Sequence, residues 1–158
     1  MEQSVMKRNT TIYDLLKQDH KDFKKLFKQI IGEERYQDNV YLQIKNALST
    51  HMAAEEKVFY SRLENNEETR EFTLEAYEEH DLVKKVINDI DSFVDFEVKL
   101  AKVKVLSGAI NEHIKQEEDD LFKKAKKVLP DNEGRVIGRQ FLNEKKQSTL
   151  LMSNMPNM

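Results

Sequence analysis

The chain has 158 residues, which is enough for one domain with a sizeable core. Charged residues make up 35% of it, and a net charge of −3 is spread over both signs, so no surface for nucleic acid is expected. The absence of cysteine excludes disulfides, thiolate metal sites and a thiol nucleophile. We find no long uncharged apolar run and expect no secretory leader, which favours a cytoplasmic protein with no membrane partner.

Only four glycines and two prolines interrupt the chain, which together with abundant lysine, glutamate and leucine predicts an all-α fold. We expect residues 1–10 to form a flexible N terminus. Thr11 and Asp14 have the spacing of a capping box, so the first helix should begin there. Its apolar residues recur at helical spacing as far as Ile31, and Gly32 should end it.

Three further segments repeat this helical spacing. They run from about residue 40 to 63, 66 to 92 and 95 to 129, where the following proline ends the last segment. Because short links join the four segments, residues 11–130 are predicted to form an antiparallel up-down-up-down four-helix bundle.

Residues 131–158 are predicted to form a C-terminal extension. A short extra helix is predicted there from four apolar residues at helical spacing: Val136, Ile137, Phe141 and Leu142. The tail from Ser148 onward is expected to be disordered.

The chain has four histidines, one on each predicted bundle helix: His20, His51, His80 and His113. Each lies on the apolar stripe of its helix. Such a stripe covers about three positions in seven, so four histidines would all fall on it by chance about three times in a hundred. A single inward histidine is usually a hydrogen-bonded core residue, but four of them predict a shared site.

A glutamate follows two of these histidines at the i+4 position, Glu55 after His51 and Glu117 after His113. Residues four apart share a helix face, so both carboxylates should also point inward. Two interpretations are open: the glutamates lean to solvent at the edge of the stripe, or they bind a metal in the core. The second is favoured, because a buried carboxylate is costly unless it is paired or coordinated and no inward Lys or Arg is evident. Without metal, the two carboxylates should repel each other and take up protons.

The two halves of the chain repeat one pattern, a histidine followed by an H-x-x-x-E element. The first and second histidines are 31 residues apart, and the third and fourth are 33 apart. A helical hairpin used twice would place four imidazoles and two carboxylates around a pseudo-twofold axis. This donor set suits two divalent ions, with iron favoured over manganese or zinc. Neither the Glu-x-x-His motif of ferritin-like bundles nor an HExxH motif occurs.

At these positions the chain resembles the hemerythrin-like (HHE cation-binding) family. The segments that carry the resemblance are LLKQDH, HMAAEEKVFY, EEH and HIKQEEDDLF, which begin at positions 15, 51, 78 and 113. The resemblance covers about residues 12–129. It implies one iron on the first two histidines, a second iron on the last two, and both glutamates as bridges beside an oxo or hydroxo group. The six metal ligands so implied are His20, His51, Glu55, His80, His113 and Glu117.

Two departures from the oxygen-carrying members of that family bear on function. The carriers have a fifth histidine one turn before the third-helix histidine, where this chain has Ala76, and an aspartate one residue further along in the fourth-helix motif. Both metals should therefore keep an exchangeable position, which Tyr77, Glu78 or Glu79 could fill. Reversible O₂ carriage is accordingly disfavoured. Iron–sulfur cluster repair is also disfavoured, because the relatives with that role carry an added Cys-bearing segment.

The sequence thus predicts a protein that binds or senses O₂, nitric oxide or peroxide at a His/Glu-bridged pair of iron ions. The alternatives are a di-iron enzyme that turns over peroxide or nitric oxide, and an iron-responsive sensor or interaction module. The expected partner is a small diatomic or peroxide ligand. The sequence does not indicate whether the protein forms an oligomer.

Overall fold

A computed structural model describes residues 7–153 of the chain, and this part is helical with no strand. Residues 1–6 and 154–158 lie outside the described part. With them lie most of the predicted flexible N terminus and the end of the predicted tail. The all-α prediction is confirmed, while the up-down order of the helices stays a prediction.

The first helix, α1, spans Ile12–Gly32 and begins at the predicted capping box. The Thr11 backbone N–H donates to the Asp14 carboxylate over 3.0 Å, and the Asp14 N–H donates back to the Thr11 hydroxyl. These two bonds satisfy backbone donors that a helix start otherwise leaves without partners.

The second predicted segment is one continuous helical rod with a short π-helical turn inside it. It comprises α2 (Asp38–Glu55), the first π turn (Glu56–Tyr60) and α3 (Ser61–Leu63). The third segment is α4, Arg70–Asp91, which begins four residues later than predicted.

The fourth segment has the same order of elements as the second, with a π turn between two α-helices. It comprises α5 (Phe96–Gln116), the second π turn (Glu117–Leu121) and α6 (Phe122–Val128). The Asp95 carboxylate caps α5 by accepting from two backbone N–H groups. As predicted, the rod ends just before Pro130.

The long helices bury two apolar clusters with the histidines between them. Helix α1 packs on α2 and α5, and α4 packs on α5. Along α1, for example, Leu16 belongs to one cluster and Phe23 to the other, and His20 lies between them. The same order recurs on α4, where His80 lies between Ala76 and Val83. The histidines therefore form a polar layer across an otherwise apolar core.

The C-terminal helix is longer than predicted. Helix α7 spans Asp131–Ser153, so the predicted short helix and the predicted disorder from Ser148 onward are both wrong as far as residue 153. The reason is tertiary packing: α7 lies against α1, α2 and the first π turn, and the side chains of Ile137 and Phe141 are fully buried. Contacts of this kind extend helices beyond what local propensity supports.

Candidate metal centre

All six predicted metal ligands lie in the polar layer, each with at most 4% of its surface exposed. Glu55 is fully buried and Glu117 is 2% exposed. The interpretation in which these glutamates lean to solvent is therefore wrong. Two buried carboxylates now require partners, and no Lys or Arg within residues 7–153 forms an ion pair with either of them.

The four imidazoles direct their Nε2 atoms at these two carboxylates. Glu55 Oε1 lies 3.3 Å from His51 Nε2 and 3.1 Å from His80 Nε2. Glu117 Oε1 lies 3.2 Å from His20 Nε2, and Glu117 Oε2 lies 3.6 Å from His113 Nε2. Each glutamate thus lies between one histidine from the first half of the chain and one from the second half, which is the placement a bridging carboxylate needs.

Two groups of donor atoms result, each with its atoms within 4.8 Å of one another. The first cluster contains His20, His51 and both glutamates. The second cluster contains His80, His113 and Glu55. Glu55 belongs to both clusters, so it can bridge two ions, while Glu117 belongs to the first cluster and contacts the second through His113.

A second set of carboxylates holds the outer nitrogen of every histidine. His20 Nδ1 lies 2.6 Å from Glu118, His51 Nδ1 2.8 Å from Asp19, His80 Nδ1 2.7 Å from Glu56, and His113 Nδ1 2.6 Å from Glu79. An ionised carboxylate only accepts hydrogen bonds, so each Nδ1 carries a proton and donates it. A metal then binds at Nε2 in place of any proton there, as in the carboxylate–histidine–metal arrangement common to metal sites.

Sequence analysis missed three of these outer carboxylates and assigned a different role to the fourth. A signal was present: an acidic residue stands next to a ligand in each half, as in Asp19–His20 of the first half and Glu79–His80 of the second. Glu79 holds His113 rather than filling a metal position. Glu78 belongs to no donor cluster of the described residues, and the Tyr77 hydroxyl donates to Glu64 over 3.4 Å.

The two π turns place side chains that an uninterrupted α-helix would turn elsewhere. Each begins at or directly after a bridging glutamate, and each contains an i→i+5 bond, from the Ser61 N–H to the Glu56 carbonyl and from the Phe122 N–H to the Glu117 carbonyl. As a result, residues five positions beyond the two glutamates also lie in the core. Single π turns in α-helices are frequent at functional sites.

Those two residues are Tyr60 in the first half and Phe122 in the second, and they differ in one hydroxyl group. The Tyr60 hydroxyl donates to Glu117 Oε2 and lies 3.4 Å from His80 Nε2, so it borders the second cluster. Phe122 stacks on the ring of His20 at 6.5 Å and adds no polar atom to the first cluster. Burial and the nearby carboxylates raise the pKa of Tyr60 well above its usual value, so the phenol keeps its proton at neutral pH.

The protons of the metal-free centre reside on imidazoles rather than on Glu55. Burial opposes protonation of His51, but Glu55 and Asp19 outweigh it and raise its pKa to about 10. Glu55 and Glu56 likewise overcome the burial of His80 and raise its pKa to about 9. The same contacts hold the pKa of Glu55 well below its usual range despite its burial. The expectation that Glu55 takes up a proton is therefore wrong.

The buried nitrogen and oxygen atoms at the centre are better suited to bind a metal than to hydrogen-bond one another. Six buried atoms there have no hydrogen-bond partner among the described residues: Nε2 of His20, His51 and His113, both oxygens of Glu55, and Oε1 of Glu117. Buried polar atoms are rarely left in this state, because each costs about 1–3 kcal/mol. Imidazole nitrogen and carboxylate oxygen around a shared point are the ligands that iron, manganese and zinc accept.

Comparison with known proteins agrees with this geometry. The family model described as the hemerythrin HHE cation binding domain matches residues 11–125 of the chain. Helix α7 lies wholly beyond the matched segment. No curated protein and no solved structure matches the chain. Within residues 7–153, no helix is both long enough and apolar enough to cross a lipid bilayer.

Asp19→Asn should weaken metal binding by about 10- to 100-fold, because it removes the charge that orients His51 and makes it more basic. Competitive titration against a chelator of known affinity measures the change. Asp22→Asn is the matched control on the same helix. Asp22 is exposed, and its carboxylate accepts a hydrogen bond from the exposed Gln18 side chain. Wild-type affinity in the Asp19 variant would show that the outer carboxylate has no part in binding.

The metal-free protein should lose stability as pH rises above the usual histidine pKa of 6.5 towards about 10. Below pH 6.5, His51 and His80 are protonated in both the folded and the unfolded chain, so their contribution is complete. Above it, only the folded chain holds these protons, and it releases them near their raised pKa values of about 9 and 10. Urea denaturation of chelator-treated protein across this range measures the trend, and Glu55→Gln should flatten it. A flat profile for the wild type would contradict the placement of the protons.

Proposed function

Because the chain belongs to the hemerythrin HHE cation-binding family, we propose that it holds two iron ions and binds or senses O₂, nitric oxide or peroxide. One observation carries the metal assignment: four Nε2 atoms converge on two buried carboxylates whose oxygens largely lack other partners. His20 and His51 hold the first ion, His80 and His113 hold the second, and Glu55 and Glu117 lie between the two pairs.

Iron is favoured by the mixed donor set, since imidazole and carboxylate together suit a borderline divalent ion. When bound, iron supplies the one-electron and oxygen chemistry that protein side chains lack. Glu117 Oε2, which lies 3.6 Å from His113 Nε2, accepts from the Tyr60 hydroxyl, whereas Phe122 places no such donor beside His20. The two ions therefore have inequivalent surroundings.

Space for a small ligand lies beside Glu117. Ala76, one turn before His80, offers no ligand atom, and it lines a cavity of about 170 Å³ together with Glu117. The corresponding residue before His20 is Leu16, which is fully buried and fills its place. A diatomic molecule or peroxide has room in this cavity beside Glu117, and the Tyr60 phenol donates to the same carboxylate.

Two iron ions should be bound per chain of the wild-type protein after anaerobic purification. His51→Ala or His113→Ala should lower the metal content to one ion or none, because each variant removes one of two histidines from a cluster. Metal analysis measures the content. Glu71→Ala is the control, because Glu71 is an exposed residue near the start of α4. Two ions in either histidine variant would refute the ligand assignment.

The di-ferrous protein should react with O₂, nitric oxide or peroxide without forming a long-lived O₂ adduct, because Ala76 leaves the second cluster without a fifth histidine. Ultraviolet–visible spectra recorded before and after each addition test this. Catalytic consumption of peroxide or nitric oxide would favour the enzyme alternative. Reaction with none of the three would sink the ligand proposal and leave an iron-responsive module.

A further inference from the structure

The two halves of the chain correspond residue by residue around the centre. Positions 60 apart correspond on α1 and α4, as His20 and His80 do. Positions 62 apart correspond on α2 and α5 and on the two π turns, as His51 and His113 do. This correspondence allows the surroundings of the two clusters to be compared directly, with each half as the control for the other.

In the first half, apolar side chains occupy the positions next to the centre. Leu16 is fully buried and Val58 is 8% exposed. Helix α7 packs over α1, α2 and the first π turn here, and its Phe141 ring lies edge-on to His51 at 5.8 Å. Further along α7, Lys145 forms an ion pair of 2.7 Å with Asp19. A cavity of about 530 Å³ on this side reaches the outer carboxylate Asp19, but none of the six predicted ligands lines it.

The second half is open and acidic at the corresponding positions. Ala76 stands where the first half has Leu16, Glu75 stands where it has Leu15, and Asp120 stands where it has Val58. These three residues line the cavity of about 170 Å³, and the outer carboxylate Glu79 lines it too. Glu75 and Asp120 are both exposed. We call this cavity the acidic cleft.

An independent observation links the acidic cleft to the metal centre. Glu117, which is itself only 2% exposed, also lines the cleft. Its Oε1 atom is one of the buried atoms without a hydrogen-bond partner among the described residues. The cleft therefore leads from two exposed carboxylates to a buried carboxylate with one unpartnered oxygen, and negative charge along this path attracts a cation.

We propose that the acidic cleft is the route by which divalent metal cations, ferrous iron among them, reach and leave the centre. Glu75 and Asp120 steer the cation into the cleft, because charges of one sign in a cleft with low-dielectric walls raise the local concentration of the opposite ion. Glu79 continues the acidic path, and Glu117 is the first ligand the cation meets. This proposal rests on the proposed metal-binding function and specifies how the site is filled.

Loading kinetics test the route. Metal-free protein is mixed with Co²⁺ in a stopped-flow instrument, and the visible absorption of bound Co²⁺ reports occupancy. The double variant Glu75→Gln/Asp120→Asn should load about tenfold more slowly at low ionic strength, because its cleft mouth has lost both charges. The wild-type rate should fall as salt is added, and the variant rate should change much less. The number of ions bound at equilibrium should stay at the wild-type value.

Glu33→Gln/Glu34→Gln is the matched control, since it makes the same change in net charge in the link between α1 and α2. It should load at the wild-type rate, and equal slowing in this control would show a general charge effect and overturn the route.

Ala76→Leu supplies a steric test, because it installs the residue found at the corresponding position of the first half. It should slow both loading and release to a chelator while the ion count is kept. Wild-type loading rates in the double variant overturn the proposal by themselves, even if the leucine variant does not fold. If the wild-type protein binds no metal at all, the proposed function fails instead, and the two failures are thereby distinguished.

Discussion

Two carboxylates buried in a helical core determine which residues must surround them. Glu55 and Glu117 would be prohibitively costly there without partners. Four imidazoles meet them, and each imidazole is held in turn by an outer carboxylate. Those outer groups are partly exposed, from 12% for the side chain of Asp19 to 30% for that of Glu118. Acidic and imidazole groups thus alternate from the partly exposed outer carboxylates, through the histidines, to the buried glutamates. A metal ion fits beside the glutamates, where buried atoms lack hydrogen-bond partners.

The sequence predicted the inner ligands because they obey rules that act within one helix. His51 and Glu55 share a face through i,i+4 spacing, and the apolar stripe identifies which face is inward. The outer carboxylates depend on relations between helices. Whether Glu118 meets His20, 98 residues away, is decided by the rotation and register of two packed helices. The π turns add to the difficulty, since neither has a composition that sets it apart from an ordinary helix.

The errors have the same origin. Helix α7 was predicted to be short because its local pattern is weak after Leu142. The structure extends it through packing on α1 and α2 and through the Lys145–Asp19 ion pair. The placement of protons was predicted from the burial and mutual repulsion of Glu55 and Glu117. Two histidines at 3.1 and 3.3 Å from Glu55 outweigh its burial, and these distances exist only in the folded chain.

The two halves of the chain match at some positions around the centre and differ at others. The residues that would hold the ions repeat across the two halves, as do the outer carboxylates and the π turns, because each ion requires the same kind of support. The residues around them do not repeat: Tyr60 corresponds to Phe122, Leu16 to Ala76, and α7 covers one half. A fully symmetric centre would have either two open sides or none. A centre open on both sides would expose the buried carboxylates to water from two directions. A centre closed on both sides would give ions and ligands no path to the site. One apolar half covered by α7 and one acidic half with a cleft at Glu117 avoid both outcomes, and the proposed metal route assigns exchange to the second half.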